Sequence, residues 1–164
     1  MNVGGGVGAD GLMSGAALLS RPAEEFGNDS SVETMWAVKA YEHAEIYFNL
    51  LCSVDAKFLR LTPYDDLIYK VFREDFPDLQ VQHLTDEVLK NSYAKQVWRN
   101  FCEKFKWFED FSFGTLLRLD CEDEYSEENS TLVARIQFLA IELARNREGF
   151  NSGVRYRFKV MRDH

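Results

Sequence analysis

Apolar and polar positions recur with a helical period over most of the chain. From Val32 to Cys52 the spacing predicts a long first helix. On its wheel Val32, Met35, Trp36, Ile46, Tyr47 and Leu50 share one face, and Thr34, Glu42, Glu45 and Asn49 lie opposite. His43 falls within the apolar face and reads as a packed core histidine. A short helical turn follows around Asp55 to Leu59. Thr62-Pro63 then supplies an N-cap and a proline at the first helical position. The next helix runs from Tyr64 to Asp75, turning Tyr64, Leu67, Ile68, Val71 and Phe72 inward, with Asp66 supporting Lys70 one turn on and Pro77 marking the end. Thr85-Asp86-Glu87 begins a further turn. Ser92 to Lys106 forms another helix whose core side is Ala94, Val97, Trp98, Phe101 and Phe105.

Beyond the aromatic-dense stretch from Phe108 to Phe113, residues 114–120 read as a short strand and 122–129 as an acidic loop. Ser130 or Thr131 is the expected cap of the last helix, which ends near Glu148 with Gly149 as a left-handed terminator. That helix is apolar on more than one side: Ile136, Leu139, Ala140 and Leu143 lie together, while Phe138 and Ile141 project elsewhere. It is therefore expected at the centre, wrapped by its neighbours. Residues 154–160 alternate apolar and basic side chains and predict a half-buried strand paired with 114–120. The fold class expected is mainly α, a compact multi-helix bundle around a central C-terminal helix, with a possible small two-stranded β element. Residues 1–25, rich in Gly, Ala and Ser and without periodicity, are expected to form a flexible arm before a single helical domain over residues 26–161.

Composition sharpens this picture in three ways. With 164 residues, 46% of them hydrophobic, there is material for one core and too little for two full domains. No apolar run approaches the roughly 18 residues of a membrane span, so a cytoplasmic protein is expected, with the nucleus also open. Cys52, Cys102 and Cys121 are odd in number and form no CxxC pair, which points to a reducing compartment. The net charge of -8 argues against DNA and anionic membrane as primary partners.

The chemistry-bearing patterns have plain structural explanations. Gly6-Val-Gly-Ala-Asp-Gly11 matches the letters of a dinucleotide fingerprint, but no strand precedes it and no amphipathic helix follows. The acidic loop departs from EF-hand order, with Tyr125 where glycine and Thr131 where glutamate is needed. No P-loop, zinc spacing or Cys-His pair is present, so no catalytic, cofactor-binding or metal residue is assigned and no cofactor is expected. Arg135, Glu142 and Arg145 are expected to form a structural charge cluster along the last helix. Lys95, Arg99 and Lys106 make a basic stripe beside Trp107 and Phe108. With Arg145 and Arg147 these are the candidate partner-binding residues, because cations next to aromatics are what interface hot spots use.

Four segments carry a family resemblance: Pro22 to Asp29, Trp98 to Phe105, Phe113 to Asp120, and Arg135-Ile-Gln-Phe-Leu-Ala-Ile-Glu-Leu-Ala-Arg-Asn-Arg-Glu-Gly149. Their order and wording resemble the polysaccharide biosynthesis domain-containing protein 1 family, small eukaryotic cytosolic proteins. The resemblance implies a mainly helical, non-enzymatic domain acting as an ATP-independent, ribosome-linked chaperone for newly made translation elongation factor 1-alpha, whose nascent GTP-binding domain would be the partner. The alternative is an accessory or transferase protein of polysaccharide biosynthesis, with Glu142 or His43 as acid or base. The absence of an Asp-x-Asp pair weakens that alternative. A third option is a ribosome contact through Lys95, Arg99 and Lys106.

Overall fold

The computed structural model describes residues 30–158, with side chains from residue 34 onward. The expected N-terminal arm, its glycine motif and residues 159–164 lie outside the described residues. Helix α1 spans Ser30–Ser53. After a 3-10 turn at Ala56–Phe58 come α2, Asp65–Asp75, α3, Asp86–Lys90, and α4, Ser92–Glu103. Strands β1, Gly114–Arg118, and β2, Ser130–Ala134, precede α5, Arg135–Arg147, and the short α6, Val154–Arg157. The architecture is mainly α with one small antiparallel sheet.

The sheet organises the core. β1 and β2 pair from Gly114 opposite Ala134 to Arg118 opposite Ser130. Side chains on successive strand residues leave opposite faces, so Leu116 and Leu132 meet Ala37, Ala40 and Ala44 of α1, while Leu117 and Val133 join the main core. Three alanines let the α1 backbone lie close on the strands. Gly114 serves the same closeness, since a Cβ there would run into the Trp36 indole. Helix α5 is buried almost all round, from Ile136 through Asn146 with only Gln137 partly exposed. It is the central helix its sequence predicts.

Four expectations are corrected. The buried stripe of α1 is Ala37, Ala40, Ala44, Tyr47, Phe48 and Leu51, whereas Met35, Ile46 and Leu50 are exposed. Size misleads there, because a close approach to a sheet selects small residues. Leu67 and Tyr64 likewise point outward, and Ile68 and Phe72 carry the burial on α2. Residues 130–134 form β2 instead of capping the last helix: Thr131 and Val133 are β-branched and buried, and Gln137 accepts the Ala134 N–H at 2.8 Å to start α5 four residues later. The strand expected over 154–160 is not the partner of β1. Residues 154–157 turn into helix, with the Phe158 N–H donating to the Val154 carbonyl, because Gly149 at φ +90° reverses the chain after α5 and β2 already occupies the edge of β1.

Candidate functional site

Two places concentrate polar chemistry, one closed and one open. The closed one is centred on Glu142, which is wholly buried between Arg118 and Arg145, both also wholly buried. Arg145 sits one turn along α5 and donates from Nη1 to Glu142 Oε2 at 2.8 Å, while its Nε and Nη2 donate to the carbonyls of Val81 (2.7 Å) and Leu119 (3.0 Å). Tyr47 of α1 and Asn151 donate to Glu142 Oε1 at 2.7 and 2.8 Å. Arg118 of β1 lies 3.6 Å from that oxygen. It donates to the Cys121 and Asp123 carbonyls and to Asn151, with its guanidinium over the Phe48 ring.

Burial pushes the Glu142 carboxyl up, but the two guanidiniums and the Tyr47 and Arg145 hydrogen bonds outweigh it and hold the group below the usual glutamate value. Burial first, and then the same carboxylate, drive the Tyr47 phenol well above its ordinary value. Every carboxylate oxygen is committed, so the cluster ties α1, β1 and α5 together.

Two sequence expectations change at this cluster. Arg118 stands where Arg135 was expected, because the strand brings Arg118 inward while Arg135, at the first position of α5, points elsewhere. Arg145 is a core residue and not a partner-facing one, since its guanidinium has to neutralise Glu142. His43 is corrected as well. It lies on the outer side of α1, exposed, with its ring edge-on to Phe138 at 5.3 Å. Partial burial, and then Arg135 nearby, lower the imidazole from its usual value.

The open place is built from two turns. Before α2, the buried Asp65 carboxylate accepts from Leu61 N (2.8 Å), Thr62 N (2.7 Å) and Thr62 Oγ1 (2.9 Å), and Tyr64 N donates to Thr62 Oγ1. This fixes the loop and leaves Phe58 and Tyr64 standing out on either side of Pro63. After α4, backbone bonds three residues apart recur from Lys104 to Phe113, placing Phe105 and Phe108 inward and Trp107 outward. The Trp107 ring meets Tyr64 edge-on at 5.0 Å, and its Nε1 donates to the Lys104 carbonyl. The Ile136 N–H bonds to the Phe111 carbonyl at 2.9 Å and so brings Arg135 to the same spot, over the Phe108 ring.

The result is a cleft of about 490 Å³ lined by Leu61, Thr62, Pro63, Tyr64, Trp107, Phe108, Glu109, Asp110 and Arg135. A second cleft of about 230 Å³ shares Pro63 and is lined by Lys57, Phe58, Leu59, Arg60, Asp65, Asp66 and Arg147. Neither is lined by Glu142 or His43. Exposed aromatic side chains line the pair: Phe58 is 83% exposed, Trp107 55% and Tyr64 46%.

Of the residues the sequence nominated, Trp107 and Arg147 lie at these clefts. Phe108 is 7% exposed and serves as wall, not anchor, because its ring packs under Tyr64 and Trp107. Arg147 is already paired with Asp66 at 2.7 Å. Lys95, Arg99 and Lys106 are exposed as expected of a stripe and line neither cleft; Lys106 pairs with Glu103, and Arg99 donates to Gln96. Phe58, Lys57, Arg60 and Tyr64 escaped the sequence reading. The signal was present in aromatics flanking the Thr62-Pro63 turn, but Tyr64 fits an inward helical position equally well.

Fold and site together define, over the described residues, a mainly helical domain with a small antiparallel sheet that carries an aromatic face beside two clefts. The family model described as PBDC1 protein matches residues 32–156, and the chain belongs to that family. Protein PBDC1 of Homo sapiens is 54% identical over 144 residues, covering 87% of this chain and 62% of the human protein, so the match spans less than two thirds of that relative. Protein PBDC1 homolog of Saccharomyces cerevisiae is 44% identical over 137 residues, covering 80% of this chain and 94% of the yeast protein. A solution NMR structure of a Saccharomyces cerevisiae protein superposes with a TM-score of 0.71 at 44% identity, covering 78% of this chain and 91% of that one.

Proposed function

We propose that this domain works by binding another protein, without chemistry of its own, as an ATP-independent, ribosome-linked helper of newly made translation elongation factor 1-alpha in the cytoplasm. One observation carries the reading: large apolar side chains, Phe58, Tyr64 and Trp107, stand exposed around two adjoining clefts. Such a patch has an energetic cost in water that a partner removes, and aromatic anchors beside cations are the common currency of protein interfaces. The choice of partner rests on the family resemblance. The polysaccharide-biosynthesis reading has less support, because, of its two candidate acid–base groups, Glu142 is closed to solvent and saturated with hydrogen bonds, and His43 lines neither cleft.

Affinity purification from translating extract, using wild type and a Phe58→Ser/Trp107→Ser variant, tests both parts. Wild type is expected to enrich elongation factor 1-alpha and the variant to lose most of that enrichment with its fold intact by circular dichroism. No enrichment by wild type removes the factor as partner. Undiminished recovery by the variant removes this face.

A further inference from the structure

On this acidic chain several surface cations meet a carboxylate. Lys70 pairs with Glu74, Lys104 with Asp75, Arg73 with Glu148 and Arg147 with Asp66. Lys57 and Arg60 do not: among the described residues, neither side-chain nitrogen has an ion pair or hydrogen bond, and both line the smaller cleft beside Phe58. The two carboxylates in that cleft are engaged, Asp65 with the Leu61–Thr62 turn and Asp66 with Arg147. Across Pro63, Arg135 in the larger cleft also has no carboxylate partner, and its Nε is buried without any hydrogen-bond partner. Three uncompensated cations thus share one face with the exposed aromatics.

We propose that this face selects an extended partner segment in which pairs of acidic and pairs of apolar residues follow one another, so that the docked side carries both, its apolar side chains resting on Phe58, Tyr64 and Trp107 and its carboxylates meeting Lys57, Arg60 and Arg135. Charge complementarity names the acid: free cations held by a fixed loop steer and orient an anionic segment, and the apolar side chains supply the affinity. A uniform polyanion fits worse. Glu109 and Asp110 line the larger cleft, Asp65 and Asp66 the smaller, and the chain carries a net charge of -8, so a phosphate backbone meets repulsion along the path. A strand of such pairs presents a carboxylate at every fourth residue of the docked side, with apolar side chains between, and can place the acids on the cations alone. The inference rests on the protein-binding reading and adds the chemistry of what is bound.

The test measures fluorescence anisotropy of full-length protein with three probes: a fluorescein-labelled peptide repeating two leucines and two glutamates, the same peptide with lysine for glutamate, and a labelled oligouridine. The glutamate peptide is expected to bind best, to weaken with added salt, and to lose at least about tenfold in affinity with Lys57→Glu/Arg60→Glu. Lys39→Glu/Arg157→Glu, which changes net charge equally at exposed positions outside both clefts, is expected to leave binding within about twofold of wild type. A failure of the glutamate peptide to bind, equal loss in both variants, or tighter binding of oligouridine overturns the proposal. Recovery of a protein partner from extract by the Lys57→Glu/Arg60→Glu variant, undiminished, also overturns it while leaving protein binding itself in place.

Discussion

Glu142 is where single side chains matter most. Among the described residues its carboxylate is the one paired with the wholly buried guanidiniums of Arg118 and Arg145, and removing one partner of a buried ionic group leaves the others uncompensated. Glu142→Gln is expected to lower the unfolding free energy by about 3 kcal/mol or more in urea titrations. A loss under about 1 kcal/mol would mean that the cluster is not holding α1, β1 and α5 together. His43 gives a pH dependence of known sign. Its folded imidazole lies below the usual 6.5, so between those values the unfolded chain binds more protons. Stability is then full above the unfolded value and falls as pH drops through the folded one. His43→Gln is expected to flatten that decline between pH 7.5 and 5.5; an unchanged slope would rule His43 out as its source. The Glu142–Arg145 pair was legible in their spacing of three on one helix, whereas Arg118 was not, because nothing in a strand of Gly114–Arg118 says that both its faces are covered.

Among the elements, α1 tests how helices meet this sheet. Its alanines, not its large aliphatics, face Leu116 and Leu132. Ala40→Leu is expected to cost about 1–3 kcal/mol by overpacking, while Ile46→Ala, at an exposed position, is expected to stay within about 0.5 kcal/mol of wild type. The reverse result in thermal or urea denaturation would restore the face predicted from hydrophobicity. Helices α2 and α4 were readable because their buried positions are large and regularly spaced, as with Ile68 and Phe72 or Trp98 and Phe101. β2 was not, since Ser130 and Thr131 are good caps in isolation and become strand residues only when β1 offers a partner.

For the assembled domain, stability is centred on α5, which touches the main core along nearly its full length. Native-state hydrogen exchange is expected to find the slowest amides between Ile136 and Ala144, opening only with global unfolding, and faster exchange in the short α3 and α6. Faster exchange in α5 than in α1 would contradict a central role. The binding face sits on turns at the periphery, where Asp65 and the bonds from Lys104 to Phe113 hold aromatics outward without drawing on the core. Surface charge reversals there are therefore expected to change binding and leave the melt unaltered.

Helical class, the central last helix and the Gly149 terminator follow from local patterns, because periodicity and turn chemistry act over a few residues. Which faces are buried, which strand pairs with Gly114–Arg118 and which cations stay unpaired depend on neighbours distant along the chain. A hydrophobic wheel records only the character of a side chain. Whether Leu50 is packed or Phe58 stands in water is settled by how closely another element approaches, and in this protein alanine, glycine and a buried carboxylate set that approach.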